Sequence, residues 1–317
     1  MTGATIVGWG SALPEQVVTN HDLAARLDTS DEWVRERTGI EERRVGTSTT
    51  ALAVDAGRAA LERAEADPAS VGAVVVATCT PDATMPATAC EVQAALGGTG
   101  AALDVNAACA GFVHALVLAA GLTALGTDRV LVIGAETMSR IVDPDDRNTA
   151  VLFGDGAGAV VVDRAERSDL LAHVLGNDPD GRHLITAPSG GPLAMEGREV
   201  FRRAVRVVVD SGEEAIRRAG LLAADVDLVV PHQANRRILD AAADRLDIPS
   251  ERWVSIVEHT GNTSAASVPL ALAEAAGSGR LRPGDRVLLV GFGAGMSWGA
   301  TLVRWRGSTA QRRQATT

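Results

Sequence analysis

Short apolar runs rich in β-branched residues alternate with alanine-rich helical stretches along the chain, and this alternation restricts the possible folds more than any other feature. The apolar runs include TIVGWG, AVVVATC, RVLVIGAE, AGAVVVD, DLVVPH and RVLLVGFG. The stretches between them include ALAVDAGRAALERAEA, ALVLAAGLTALG and RRILDAAADRL. Strands that are apolar on both faces belong to sheets covered by helices on both sides. The sequence therefore predicts an α/β protein.

The alternation repeats in the two halves of the chain. RVLVIGAE leads to the glycine-rich strand GDGAGAVVVD in the first half, and RVLLVGFG leads to GAGMSWGATLV in the second. This similarity predicts an internal duplication, with an N-terminal half at residues 1–168 and a C-terminal half at residues 169–317. A chain of 317 residues with 46% apolar content can bury a large core in one big domain or two similar ones.

The residue types that are missing exclude several enzyme classes. All 30 basic residues are arginines, and the chain contains neither lysine nor tyrosine. Without lysine there is no Schiff base, which excludes pyridoxal-phosphate enzymes and class I aldolases. A Walker A loop would lack its lysine, and a Tyr-Lys dehydrogenase pair cannot form. Chemistry therefore has to come from Cys, His, Ser, Asp, Glu, Asn, Arg or backbone groups.

Charge and cysteine usage predict an acidic intracellular protein. The net charge is −10, which gives no sign of a general nucleic-acid surface. Three cysteines without a CxxC pair argue against a disulfide framework and against a zinc site. No apolar run reaches the roughly 18 residues that span a bilayer, and the first residues lack the pattern of a signal peptide. We expect a cytoplasmic protein without metal, membrane or nucleic-acid partners.

Cys109 is the first candidate reactive residue, within DVNAACAGFVHALVLAAGL. It lies where an apolar run ends and a helical stretch begins, so the helix N-terminus is expected to lower the pKa of its thiol. Taken alone, a cysteine is more often a small buried hydrophobic residue. Cys79 and Cys90 lack a comparable small-residue turn, and we expect both in the core.

Two further polar residues precede helical stretches. His232 lies in DLVVPHQANRRILDAAADRL, and Asn262 lies in EHTGNTSAASVPLALAEAA. If these two and Cys109 all follow strands, they gather at the carboxyl ends of the sheets, where sites form. Each alone has an ordinary explanation, His232 as a polar residue beside a helix start and Asn262 as a helix cap. The loop VGFGAGMSWG fits an oxyanion hole made of backbone N–H groups better than a dinucleotide fingerprint.

Four segments, NAACAGF, PHQANRRI, GNTSAAS and GFGAGMSWG, occur in this order. Together with LDTSDEWVRERTGIEERR and DPDDRNTAVLFGDGAGAVV, they resemble β-ketoacyl-acyl-carrier-protein synthase III of the thiolase superfamily over nearly the whole chain. The resemblance implies a thiolase-like five-layer αβαβα fold from two duplicated halves, and a homodimer. It also implies condensation of an acyl-CoA primer, acetyl-CoA or another short acyl-CoA, with malonyl-acyl carrier protein, which initiates fatty-acid synthesis.

The resemblance assigns roles that the chemistry of the residues suits. Cys109 attacks the primer thioester, and the backbone N–H groups of Cys109 and Ala294 hold the oxyanion. His232 and Asn262 hold the malonyl thioester oxygen, where negative charge develops as CO₂ leaves. No cofactor is expected, because acyl-CoA is a substrate.

The resemblance also implies the residues that contact the substrates. Trp33 and Arg147 are expected to sandwich the adenine, and Thr29 and Arg37 to contact the nucleotide and its phosphates. Asn235 is expected to line the pantetheine tunnel or to bond near His232. Phe153 and Phe292 are expected to line the acyl pocket, with Met85 reaching into it from a partner subunit. An arginine patch for the carrier protein is expected at Arg202, Arg236, Arg237 and Arg245. The alternative is a set of solvated helix faces paired with Glu213, Glu214, Asp240 and Asp244.

Other functions stay open at this point. A starter-unit ketosynthase or acyltransferase homologue of polyketide metabolism would share the same residues. A cysteine hydrolase would use His232 to activate water. A non-catalytic binding module would not use the Cys109 thiol as a nucleophile. The length and branching of the primer stay open, because the chain departs from the family's pattern at Met85, at Arg198 and in the stretch GRHLITAPSGGPLAMEGRE.

Overall fold

The protein is described by a computed structural model that covers residues 3–46 and 48–309. The strands are β1 Gly3–Ala12, β2 Gln16–Thr19, β3 Glu42–Val45, β4 Ala73–Ala77, β5 Ala101–Val105, β6 Arg129–Thr137, β7 Asp155–Ala165, β8 Leu170–Asn177, β9 Ile185–Thr186, β10 Ala194–Met195, β11 Leu228–Pro231, β12 Arg286–Gly293 and β13 Ser297–Arg304. The α-helices are α1 Asn20–Ala24, α2 Asp31–Thr38, α3 Thr49–Ala64, α4 Thr88–Leu96, α5 Gly111–Ala124, α6 Arg147–Ala150, α7 Gly197–Arg218, α8 Arg236–Leu246, α9 Val257–Thr260 and α10 Ser267–Gly277.

Two larger sheets divide the chain between them. The first has the order β1-β7-β6-β4-β5, with β4 parallel to β5 and β6 and with β7 antiparallel to its neighbours. The second has the order β11-β12-β13-β8, with β11 parallel to β12. The predicted division between residues 168 and 169 stays a prediction, and it lies between β7 of the first sheet and β8 of the second.

Helices cover both faces of each sheet. α3 and α4 pack on the outer face of the first sheet, and α7, with α8 against it, packs on the outer face of the second. α5 and α10 lie between the sheets and contact both. This is the five-layer αβαβα arrangement that the resemblance implies.

Alternation along β6 explains why its apolar run is continuous. Val130 and Val132 face the central helices, whereas Leu131 and Ile133 face α3. Both faces are buried, so each position needs an apolar side chain. The run ends in Glu136, a fully buried carboxyl group on the central side of the strand.

Two glycines let backbone segments from the second half of the chain approach the first sheet and Cys109. A Cβ on Gly134 of β6 would lie 2.3 Å from the Ala265 carbonyl oxygen. A Cβ on Gly293, at the end of β12, would lie 2.6 Å from the Cys109 backbone nitrogen. Since real Cβ atoms do not make such contacts, only glycine allows these segments to pack this closely.

Among the described residues, no helix combines the length and the apolar character needed to cross a bilayer.

We predict that Gly134→Ala lowers the free energy of unfolding by about 1–3 kcal/mol, because the added methyl group overpacks the contact with Ala265. The matched control is Gly121→Ala in α5, where a Cβ meets nothing within 4 Å. Removing an exposed helical glycine should leave stability unchanged or raise it by up to about 1 kcal/mol. Denaturant titration of both variants measures the difference, and equal effects would contradict the packing argument.

Candidate active site

Cys109, His232 and Asn262 line one cavity of about 620 Å³. Cys109 comes from the first half of the chain, and the other two come from the second half. The structure therefore brings together the three side chains that the sequence singled out as reactive.

Cys109 lies in a single 3-10 turn, Ala108–Ala110, between β5 and α5. Ala108 has a φ of 46°, a left-handed conformation that is uncommon outside glycine and often found at functional sites. Burial raises the pKa of the Cys109 thiol to about 12, and the negative charge of Glu136 acts in the same direction. The expectation of a lowered pKa was wrong, because desolvation outweighs the lowering effects of the Ser264 hydroxyl and the Cys109 backbone. The resting form is therefore the thiol.

His232 directly follows β11, as the sequence predicted. Its backbone N–H donates to the Val290 carbonyl over 2.7 Å, and its ring meets Phe292 edge-on at 5.2 Å between centroids. Its Nδ1 lies 2.6 Å from the Ser267 hydroxyl oxygen. Burial lowers the pKa of His232 to about 3, so the ring is neutral near pH 7. When Ser267 donates to Nδ1, the ring proton is on Nε2, where it can be donated to a substrate.

Asn262 is held from both its side chain and its backbone. Its Oδ1 accepts the Ser264 N–H at 2.9 Å, which leaves the amide nitrogen as the donor for the cavity. Its backbone N–H donates to the Leu152 carbonyl at 2.8 Å. The expectation that it follows a strand was wrong, because α9 and Gly261 precede it. Gly261 turns the chain at a φ of 61°, in a space where a Cβ would lie 2.9 Å from the Leu152 oxygen.

The glycine loop after β12 forms the wall of the cavity beside Cys109. Gly293 and Ala294 line the cavity, and the close approach of Gly293 to the Cys109 amide places the loop directly over the nucleophile. This proximity is what an oxyanion hole from the N–H groups of Cys109 and Ala294 requires. The oxyanion role itself stays a prediction.

Trp33 and Arg37 of α2 also line the cavity. The Trp33 ring has the Arg37 guanidinium 4.8 Å from its centroid and the Arg147 guanidinium 5.0 Å from it. Arg147 also donates to the Asp28 carbonyl at 2.7 Å. An adenine between Trp33 and Arg147 needs about 7 Å, two contacts of about 3.5 Å each. Arg147 therefore has to turn aside before the predicted sandwich can form.

Two other predicted CoA contacts differ in position. Asn235 lines the cavity, and it caps α8 through the Arg237 N–H at 2.9 Å while donating to the Arg37 carbonyl at 3.0 Å. It thus ties α8 to α2. Thr29 does not line the cavity, and its hydroxyl oxygen is buried without a hydrogen-bond partner among the described residues. Its contact with the nucleotide stays a prediction.

Part of the cavity lining is apolar. Phe153 and Phe292 line it as predicted, together with Met138, Ile141, Leu152, Leu193 and Met195. Met85 is not part of the lining and is 83% exposed. Its predicted reach into the pocket of a partner subunit stays a prediction.

The predicted arginine patch is partly paired with carboxylates. Arg236 lies 2.8 Å from Asp240 and 2.9 Å from Glu258, and Arg202 pairs with Glu199. Arg237 instead lies over the Phe201 ring, 5.5 Å from its centroid, and Phe201 lines the cavity. Arg245 is exposed in the last turn of α8. Arg237 is thus the member that the structure places beside the cavity, and the patch itself stays a prediction.

The comparisons with known proteins agree with this geometry. The family model described as 3-Oxoacyl-[acyl-carrier-protein (ACP)] synthase III matches residues 103–179, and the model of its C-terminal part matches residues 216–305. A relative from Erythrobacter litoralis named beta-ketoacyl-[acyl-carrier-protein] synthase III is 51% identical over 96% of this chain and 100% of its own. The chain belongs to the β-ketoacyl-acyl-carrier-protein synthase III family.

Solved structures confirm the five-layer fold of this family. The 3-oxoacyl-(acyl carrier protein) synthase III of Pseudomonas aeruginosa is 44% identical, with a TM-score of 0.93 over 97% of this chain and 99% of that one. The priming β-ketosynthase of the R1128 polyketide pathway is 38% identical, with a TM-score of 0.91 over 96% of this chain and 97% of that one.

Four site residues escaped the sequence analysis: Cys79, Glu136, Ser264 and Ser267. Cys79 was expected in the core, but it lines the cavity and donates its thiol proton to Glu136 at 3.3 Å. Cys90 was also expected in the core and is exposed on α4, whose inner face is formed by other residues. Two features of the sequence could have pointed to them. Glu136 is an acidic residue at the end of the apolar run RVLVIGAE, and Ser264 and Ser267 are the serines of GNTSAAS.

Among the described residues, no group of three or more His, Cys, Asp or Glu side chains is arranged to hold a metal ion.

We predict that the His232 imidazole stays neutral down to about pH 4, because burial disfavours its charged form. An unperturbed histidine is mostly protonated at pH 5. Ring ¹⁵N chemical shifts measured from about pH 7 to about pH 4 test this, with His232→Gln to assign the signal. We expect the pattern of a neutral ring with its proton on Nε2. A signal that titrates near pH 6.5 would contradict the burial.

Proposed function

We propose that this protein is a β-ketoacyl-acyl-carrier-protein synthase III that condenses an acyl-CoA primer with malonyl-acyl carrier protein and thereby initiates fatty-acid synthesis. The observation that carries the proposal is the single cavity that joins Cys109, His232 and Asn262, with Trp33 and Arg37 in its wall. A nucleophile, two neutral donors and an aromatic–arginine surface for a nucleotide are what this reaction needs.

In the first half-reaction, the Cys109 sulfur attacks the thioester carbonyl of the acyl-CoA. Negative charge on the carbonyl oxygen is stabilised by the N–H groups of Cys109 and Ala294, which need no reorganisation because the backbone fixes them. CoA leaves, and the acyl group stays on sulfur in the apolar part of the cavity beside Phe153 and Phe292.

In the second half-reaction, the malonyl thioester oxygen accepts hydrogen bonds from His232 Nε2 and the Asn262 amide. Loss of CO₂ moves negative charge onto this oxygen, and both donors stabilise the enolate. Asn262 suits the role because it donates without titrating, and the neutral His232 remains a donor across the physiological pH range. The enolate carbon then attacks the acyl-Cys109 carbonyl, and β-ketoacyl-carrier protein leaves.

The alternatives are less well supported. A relative named as synthase III is 51% identical, whereas the polyketide priming ketosynthase is 38% identical, so a role in polyketide synthesis is not favoured. A cysteine hydrolase would need His232 as a base for water. With a pKa near 3, the imidazole is a poor proton acceptor near pH 7.

The proposal includes a homodimer in the cytoplasm. Met85 is exposed beside α4, as a side chain that enters a partner subunit would be. Acyl-CoA and malonyl-carrier protein are the expected substrates, and no cofactor is expected.

We predict that Cys109→Ala abolishes both half-reactions, whereas His232→Ala and Asn262→Ala lose condensation but keep acylation of Cys109. Removal of one such donor costs about 10²–10³ in rate. Intact-protein mass spectrometry after addition of acetyl-CoA measures acylation, and carrier-protein mass measures the β-keto product. Cys90→Ser is the control, because Cys90 is exposed and lies outside the cavity lining.

The proposed function fails if wild-type protein releases free acid in place of acetoacetyl-carrier protein. The division of roles fails if either donor variant condenses at the wild-type rate.

We predict that Arg237→Glu raises KM for malonyl-carrier protein, more strongly at low salt, because carrier proteins are acidic and long-range attraction is screened by salt. KM for the acyl-CoA should stay unchanged. The control is Arg217→Glu, which makes the same charge change about 24 Å from Phe201 along α7. Equal effects of the two variants, or no salt dependence, would rule out the patch.

A further inference from the structure

Glu136 is a fully buried carboxyl group that the mechanism above does not use. It lies near the end of β6 and does not line the cavity. Burial of a carboxyl group costs free energy unless hydrogen bonds compensate for it, and an apolar side chain would pack at such a position without that cost. The groups that Glu136 holds therefore indicate why a carboxyl group is present.

One carboxyl oxygen of Glu136 is held by the segment around the end of β4. Oε2 accepts from the Cys79 N–H at 3.1 Å and from the Thr78 hydroxyl at 3.2 Å, and the Thr80 hydroxyl also donates to it. The other oxygen, Oε1, accepts from the Cys79 thiol at 3.3 Å. These contacts lie within the first half of the chain, and they fix the direction in which the carboxyl group points.

Oε1 also holds the turn that carries Asn262. The Ser264 hydroxyl donates to Oε1 at 3.0 Å, and the Ala265 N–H donates to it at the longer distance of 3.4 Å. Ser264 has a φ of 48°, a left-handed conformation that costs free energy in residues other than glycine and persists only where surrounding contacts impose it. The Glu136 carboxyl group supplies such contacts to the Ser264 side chain and to the backbone that follows it.

The direction of the Ser264 N–H decides which end of the Asn262 amide faces the cavity. Asn262 Oδ1 accepts this N–H at 2.9 Å, so the amide nitrogen remains as the donor for a substrate oxygen. If the backbone at Ser264 relaxed, this contact would be lost and the amide would be free to turn its oxygen toward the cavity. An oxygen there would repel an enolate, whereas the nitrogen donates to it.

We propose that Glu136 is a positioning residue, which orients the Asn262 amide through Ser264 for the decarboxylation of malonyl-carrier protein. The proposal rests on the proposed function, because it concerns the donor for the enolate of that same reaction. Glu136 acts through Asn262 and not on the substrate, since a negative charge near an enolate would destabilise it. Acylation of Cys109, which uses backbone donors in the proposed mechanism, does not depend on this link.

Two substitutions separate the hydrogen bonds of Glu136 from its bulk. Glu136→Gln keeps an oxygen that accepts from Ser264, and its amide nitrogen can donate to the threonine hydroxyls, which also act as acceptors. Glu136→Met has a similar length but is only a weak acceptor. We expect Glu136→Gln to decarboxylate malonyl-carrier protein near the wild-type rate. We expect Glu136→Met to do so about 10²-fold more slowly, the loss that a misplaced catalytic group causes.

Each variant is measured in both half-reactions. Decarboxylation of malonyl-carrier protein without a primer is followed by the mass of the acetyl-carrier protein that forms. Acylation of Cys109 by acetyl-CoA is followed by intact-protein mass spectrometry. Glu136→Met should acylate at the wild-type rate, because its defect is confined to the Asn262 donor.

A double-mutant cycle with Asn262→Ala tests whether Glu136 acts through Asn262. If it does, Glu136→Met causes no further loss of decarboxylation once the Asn262 amide has been removed. A residue that only supports the fold would lower the rate by the same factor in both backgrounds. Ser264→Ala removes the hydroxyl that donates to Glu136 and keeps the backbone N–H, so it should behave as Glu136→Met does. It takes the place of Glu136→Met in the cycle if that variant does not fold.

Thr78→Val is the matched control for a loss of stability. It removes a donor to Oε2 and also removes the hydroxyl that accepts the Thr80 N–H at 3.1 Å, so we expect a lower melting temperature. The contact between Oε1 and Ser264 stays in place. Thr78→Val should therefore decarboxylate malonyl-carrier protein at the wild-type rate at a temperature where circular dichroism shows that it is folded.

Four results would overturn the positioning role. They are a wild-type decarboxylation rate in Glu136→Met, an equal loss in Glu136→Gln, an equal loss of acylation, and an undiminished effect in the Asn262→Ala background. A wild-type protein that forms no acetoacetyl-carrier protein from acetyl-CoA and malonyl-carrier protein contradicts the proposed function instead, so the two failures are distinguishable.

Discussion

The contact between the inner face of β6 and the turn that carries Asn262 and Ser264 is the constraint on which the site depends. Gly134 allows the backbone at Ala265 to approach the strand, and Glu136, two residues further on, accepts the Ser264 hydroxyl. The same turn fixes Asn262 through the Ser264 N–H. One close approach between the two halves therefore holds the turn that carries Asn262 against the strand that carries the buried Glu136.

A second close approach completes the site from the opposite side. Gly293 lies against the Cys109 amide, so the loop after β12 packs directly beside the nucleophile. In the proposed mechanism, backbone donors serve the acyl group on Cys109, and side-chain donors serve the malonyl thioester. The two sets come from different segments, so the proposed mechanism has one cavity stabilise two oxyanions in succession without moving the nucleophile.

The sequence predicted the layered α/β fold, because its strands are apolar on both faces, and the resemblance supplied the order of the layers. The sequence also predicted that Cys109, His232 and Asn262 lie together, because their residue types and their positions before helical stretches can be recognised in the sequence alone. It could not predict the pKa of Cys109, which depends on how deeply tertiary packing buries the thiol. Glu136 and Ser264 were missed because their importance comes from a contact between residues 128 positions apart.

The most direct test of this division of roles is a crystal structure of the acetyl-enzyme, prepared by adding acetyl-CoA to the wild-type protein. The account predicts that the thioester oxygen on Cys109 lies about 2.7–3.1 Å from the backbone nitrogens of Cys109 and Ala294. It also predicts that His232 Nε2 and the Asn262 amide are left open for the second substrate. An acetyl oxygen bound instead by His232 and Asn262 would contradict the account.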